Sequence, residues 1–235
     1  SRQAYDAAIM APMFIIMSFS FGLAIFILVL MVSCNGTDRP LGDTTIQNLK
    51  NLLGVFVAAV LYFAAVQHLT NLYATEHHGV EAFILRDGGI YTAVFWVGQI
   101  IIGGLAPLAL LYHPATGKNR SMIALAAGMI IVGGLSQIYV IIIGGQAYPL
   151  SIFPGYEVSS SFHDGVVASY APSLPEVVLG LGGFAVAFLI VGIALRALPF
   201  LPSTLADADV DPHYVIPPEP EPEPEETVEE ASETA

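Results

Sequence analysis

Five stretches in which polar positions are rare alternate along this chain with short polar connections. The apolar runs lie near Ala7–Ser33, Leu49–Ala74, Ile90–Tyr112, Ser121–Gly144 and Glu176–Leu201. Each reaches the roughly 20 residues that a helix rising about 1.5 Å per residue needs to cross a bilayer. Barrel strands would be about half as long and would alternate polar with apolar positions. Gly and single Pro residues interrupt the runs without ending them, as happens where neighbouring helices shield the backbone. The pattern predicts an all-α, polytopic transmembrane bundle over residues 1–202, with a long connection at 146–175 and a polar tail at 203–235.

Composition agrees: of 235 residues, 55% are hydrophobic and only 11% charged, far from the balance of a soluble domain. The seven basic residues divide unevenly between the two ends of the bundle. Arg39, Lys50, Lys118, Arg120 and Arg196 fall on one side, and Arg2 and Arg86 on the other. By the positive-inside bias the first side is cytoplasmic, so the 146–175 connection and the N-terminus face outward across a bacterial or archaeal inner membrane. The opening SRQAYDAAIMAP has none of the regions of a secretory signal. The chain is therefore expected to be the C-terminal part of a longer polytopic protein.

Eleven of the 20 acidic residues follow Pro202, where no Lys or Arg occurs. The stretch PPEPEPEPEETVEEASE cannot bury apolar surface, and its repelling carboxylates favour a solvated, disordered cytoplasmic extension. The acidic balance also argues against nucleic acid as a partner.

Cys34 is the only cysteine. Iron–sulfur clusters need about four thiolates and c-type haem a paired Cys motif, so neither is expected on this chain. Haem b needs two His facing each other at one depth, whereas His68 lies in the outer half of the second span and His113 at the inner end of the third. No redox cofactor of its own is expected, and no metal.

The polar residues inside the spans are more informative. His68, Asn71, Thr75 and His78 follow helical spacing on one face, with Gln67 beside them. Gln99 lies about ten residues from the outer end of the third span and Gln137 about eight from that of the fourth, estimates that place them with His68 in one outer-half layer. Such groups face protein or a water-filled cavity. They read either as interhelical hydrogen bonds or as a quinone or proton path. Gly103–Gly104 and Gly133–Gly134 would let the helices approach closely enough to hold the layer.

The connection SFHDGVVASYAPSLPEVV supplies His163, Asp164 and Glu176, and a loop of about 30 residues is commonly functional. A carboxylate beside a titratable imidazole can relay protons, so His163 and Asp164 join the candidates. Glu176 either caps the fifth helix or helps at its mouth. The loop's aromatic and proline residues, Tyr148, Phe153, Tyr156 and Pro172 among them, fit a lid that doubles as a docking face.

The series IIGGQAYPLSIFPGYEV, then SSSFHDGVVASYAPSLPEVVLGLGGFAVAFLIV, then ALRALPFLP resembles the C-terminal part of NrfD/polysulfide-reductase-type membrane subunits. It is most similar to the DsrP-type subunits of DsrMKJOP sulfur-metabolism complexes. The likeness covers the chain to about Pro212 and leaves out the acidic tail. It implies the second half of a ten-helix, cofactor-free subunit that exchanges electrons between membrane quinone, menaquinone or ubiquinone, and an extrinsic periplasmic iron–sulfur subunit beside other membrane and cytochrome subunits. The quinone pocket best known in such relatives belongs to a first bundle that these five spans do not include, so no pocket residues carry over. A secondary transporter with its site near broken helices, or a purely structural anchor, are the alternatives.

Overall fold

A computed structural model describes residues 3–149, 165–198 and 202–215. His163, Asp164 and the tail beyond Val215 lie outside the described residues. Among the described residues, five helices are long and apolar enough to cross a membrane: α1 (Met10–Gly36), α2 (Asp43–Tyr73), α3 (Ile90–Tyr112), α4 (Arg120–Ala147) and α5 (Leu174–Ala197). Successive helices of α1 to α4 run in opposite directions. One end of the bundle, the His77 face, gathers the start of α1, the α2–α3 connection and the end of α4. The other, the Arg120 face, gathers the α1–α2 and α3–α4 turns.

The helices α1 to α4 form the bundle. Apolar side chains lie on both faces of each helix, and Phe14, Phe19, Phe26 and Leu69 are exposed where a soluble protein would carry charge. Lipid is as apolar as a core, so burial follows size and shape more than hydropathy. On α1 the buried series is Met13, Met17, Ser20, Ala24 and Ile27. On α2 it is Ile46, Lys50, Leu53, Val57, Val60, Ala64, Gln67 and Asn71. Both follow the i, i+3, i+4, i+7 stripe of a packed helix. Toward the Arg120 face Ile27, Leu53, Val57, Leu111, Ile123 and Ile130 make one apolar cluster, and toward the His77 face Val80, Phe83, Tyr91, Phe95 and Val140 make another. The polar layer lies between them.

Two glycines set the α3–α4 distance. A Cβ placed on Gly103 would stand 2.6 Å from Gly133 Cα, and one on Gly133 would overlap the Gly103 backbone. The helices therefore touch backbone to backbone, which only a missing side chain permits. Gln99 lies four residues before Gly103 and Gln137 four after Gly133. In antiparallel helices that mirror spacing brings the two glutamines to the same height.

α2 starts at Asp43, six residues before the apolar run. Its N-cap, Gly42, supplies no side-chain bond. The Asp207 carboxylate takes that part from a distance, accepting the Asp43 N–H at 3.0 Å and the Thr44 N–H at 2.9 Å. Around it Gly42 N–H donates to Leu205 O and Leu205 N–H to Pro40 O, and Arg39 donates to Pro202 O. Residues 202–215 are thus a strap on the α1–α2 turn, where charge alone predicted solvated chain from 203 onward. The physical reason is that free N–H groups at a helix start bind a carboxylate well. On the same face Arg120 bonds both Asp43 and the Leu41 carbonyl, and Lys50 reaches Gly117 O.

α5 stands apart. None of its residues is buried; its approach is tied by Ala168 N–H donating to Ala147 O at 3.0 Å.

Candidate functional site

The site is assembled where α2 ends. The helix stops at Tyr73, because Ala74 turns to extended backbone. A single turn at Thr75–His77 and a short helix at His78–Ala82 then fold back over the bundle, followed by a π-helical turn at Phe83–Asp87. Val80, Phe83 and Ile84 anchor this segment in the apolar cluster, Trp96 Nε1–H donates to Leu85 O, and Gly89, at φ 58°, makes the sharp entry into α3. Buried between those anchors, Glu81 is carried inward and is only 1% exposed.

Glu81 is the centre of the constellation. Its Oε2 lies 2.6 Å from His68 Nδ1, and its Oε1 accepts a hydrogen bond from Asn71 Nδ2 at 2.7 Å. The His68 ring in turn packs edge-on to Phe95, with centroids 4.8 Å apart. A lone carboxylate would be costly at this depth, and these two donors are what make its burial tolerable.

Beyond His68 lies a cavity of about 20 Å³, lined by Gln67, His68, Gln99 and Gln137 among apolar neighbours. A second, of about 10 Å³, continues past Gln99 and Gln137 to Ser20 and the Gly103–Gly133 contact. The first has room for about one water. Gln137 Nε2 is buried with no protein partner among the described residues, and a water there would satisfy it. Gln99 sits inside a π-helical stretch, Val94–Leu105, and Val140–Gly144 of α4 is wound the same way. Such bulges turn side chains off the regular helical spacing and frequently mark functional sites.

The candidate residues therefore divide. His68, Asn71, Gln99 and Gln137 come together, with Gln67. Thr75 and His78 do not, since the chain leaves the helix at Ala74; both are exposed, and His78 Nε2 bonds Leu72 O at 2.8 Å. Glu176 lies at the start of α5, where it forms a capping box with Ser173 and accepts the Tyr170 hydroxyl at 3.2 Å. Burial pushes the Tyr170 phenol above its ordinary value, and the Glu176 carboxylate adds to the rise. His163 and Asp164 are outside the described residues. Glu81 is absent from the candidates drawn from sequence because it falls in a connection between spans. Its signal is the apolar setting GVEAFIL, a carboxylate flanked by core residues.

Nearer the surface, His77 Nε2 lies 2.7 Å from Asp6 Oδ1. Arg86 does not reach this site; it is bonded to Asp87, whose carboxyl it holds below the usual range.

The fold is a multi-pass helix bundle with a buried imidazole–carboxylate pair near one face. The chain belongs to the family of polysulphide reductase NrfD, whose family model matches residues 1–149. It is similar to the Hdr-like menaquinol oxidoreductase integral membrane subunit of Archaeoglobus fulgidus, at 27% identity over 90% of this chain and 54% of that protein. It is also similar to a selenate reductase subunit of Mesobacillus selenatarsenatis, at 25% identity over 74% of this chain and 39% of that protein. The chain thus spans about half the length, or less, of these curated relatives. No solved structure matches it.

Proposed function

We propose that this chain is the quinone-interacting membrane subunit of a sulfur-linked respiratory complex of the DsrP type. It passes electrons between membrane quinone and an extrinsic iron–sulfur subunit at the His77 face, and that face is the outer one. Family membership and the quinol-linked relative support the redox role. The redox centres belong to the partners, and this chain supplies the membrane bundle and a proton route.

The observation that carries the proton role is Glu81 held between His68 and Asn71. Quinone chemistry takes up or releases protons with electrons, and a buried carboxylate hydrogen-bonded to an imidazole can hold one between a wet surface and the membrane interior. His68 can pass that proton toward the Gln67–Gln99–Gln137 cavity, where a water would continue the path.

The test is Glu81→Gln in the assembled complex. The amide fills the same space and can still pair with both neighbours, but it cannot ionise. Quinone-linked turnover is expected to fall about a hundredfold, the low end of a general acid–base contribution, with subunit stoichiometry unchanged. His68→Leu should slow turnover more than it lowers expression. Wild-type turnover in Glu81→Gln would remove the proton role, and a complex that purifies with no iron–sulfur partner would remove the redox reading.

A further inference from the structure

The lead-in to α1, residues 3–9, is a thin wall between two spaces. On its inner side Ala4, with Met10 at the start of α1, lines the small cavity that holds Gln67, His68, Gln99 and Gln137. On its outer side Asp6, Ala7, Ala8 and Ile9 line a groove of about 610 Å³ that reaches Asn71 and the end of α2. None of residues 3–9 is buried. Two side chains pin the wall to the bundle. The Tyr5 hydroxyl donates to Ile142 O at 2.8 Å, inside the π-helical stretch of α4. It lies over bare backbone at Gly145, where a Cβ would stand 2.9 Å from the Tyr5 oxygen and 3.1 Å from Ala4 Cβ. One residue on, Asp6 Oδ1 lies 2.7 Å from His77 Nε2; the carboxylate accepts only, so the imidazole donates.

We propose that this segment is a gate, which shuts the Gln67–Gln99–Gln137 cavity off from the water of the His77 face and swings into the groove to let protons exchange. The inference rests on the proton role under Proposed function and assigns that route its control point. A segment with no buried side chain opens locally at small cost, while the packed helices around it stay in place. What holds it shut is two polar contacts, each with an exposed partner, and water replaces such contacts when the segment lifts. The groove gives the segment room to move, since an outward swing displaces no core residue. Behind the wall Gln137 Nε2 is buried with no partner among the described residues. The cavity beside it has room for about one water, so an opening that admits water satisfies that amide and joins the cavity to the surface. Tyr5 and Asp6 are thus latches, and the proton itself is held further in, at Glu81 and His68.

The experiment measures entry to the cavity. Ala64 lines it and is 2% exposed, and Cys34 is the only cysteine of the chain, so the parent carries Ala64→Cys with Cys34→Ala. The assembled complex in membranes is treated with a trimethylammonium methanethiosulfonate, a cation too large for the closed cavity, and label on the α2 peptide is followed by mass spectrometry. Labelling is expected to be slow, and about threefold to tenfold faster when Tyr5→Phe or Asp6→Ala removes one latch, the worth of one hydrogen bond. Tyr5→Phe keeps the ring on Gly145 and covers the case in which Asp6→Ala fails to assemble. Rates unchanged in both variants, or a parent rate equal to that of Ala8→Cys at an exposed position, would overturn the gate and leave the redox reading standing. A second arm combines Ala4→Cys and Gly145→Cys with Cys34→Ala, because the Cβ atoms of that pair fall near the separation a disulfide needs. Oxidation should bring quinone-linked turnover close to zero, since a locked gate admits no water, and reduction of the same protein should restore it. Turnover indifferent to the disulfide would overturn the gate's part in proton exchange. Failure of the proton reading itself is seen separately, as wild-type turnover in Glu81→Gln.

Discussion

Adding one methyl group at Gly103 should disturb the protein more than adding it at Gly128, although both glycines lie inside membrane helices. On Gly103 the new Cβ would stand 2.6 Å from Gly133 Cα. Non-bonded carbons settle about 3.5–4.0 Å apart, so α3 and α4 must separate by about 1 Å. The obstacle is backbone on both sides, and no rotamer change relieves it. Overpacking of this kind costs about 1–3 kcal/mol, against which Ala returns up to about 1 kcal/mol of helix propensity. Gly128 has nothing within 4 Å of its would-be Cβ, so only the propensity gain remains there and the sign reverses. Separation also reaches the polar layer, because Gln99 and Gln137 lie one turn, about 6 Å along the axis, from the contact. Thermal unfolding of the detergent-solubilised complex is the assay. After that return a net cost of up to about 2 kcal/mol remains, so Gly103→Ala should lower the midpoint by up to about 8 °C, taking about 2–4 °C per kcal/mol for a chain of this size, and Gly128→Ala should leave it level or higher. Quinone-linked turnover should fall with the first variant and not with the second. Equal midpoints for the two variants would refute the backbone-contact argument.

Two further predictions concern the Arg120 face. Asp207→Ala removes the carboxylate that accepts the Asp43 and Thr44 N–H groups and should cost about 0.5–2 kcal/mol, the worth of a cap, read as a lowered unfolding midpoint, whereas deletion of residues 216–235 should leave assembly and midpoint unchanged. Arg120→Lys replaces a planar fork that bonds Asp43 and the Leu41 carbonyl together with a point charge unable to hold both in that geometry; because the pair is partly exposed, a loss of about 1 kcal/mol or less is expected in the same assay.

The number, order and approximate limits of the membrane helices follow from sequence alone, because crossing an apolar slab demands length and hydropathy whatever the neighbours are. That Gln99 and Gln137 stand at one level was legible for the same reason, since position along a span counts residues from its end. Helical spacing also placed His68 and Asn71 on one face, and its extension to Thr75 and His78 failed because one extended residue, Ala74, ends the helix. Tertiary structure decided the partners. Glu81 lies outside every span, and it reaches His68 only because Val80, Phe83 and Ile84 bury the connecting segment and turn its carboxylate inward. Asp207 reads as one more charge in an acidic tail until the fold brings it, from more than 160 residues away, to the open start of α2. Periodicity along one helix records which side is buried, but not what lies opposite. In a membrane even the buried side is only weakly marked, since lipid and protein interior are equally apolar, and the pairing of polar groups is settled by backbone contacts such as Gly103 on Gly133 that fix how closely the helices stand.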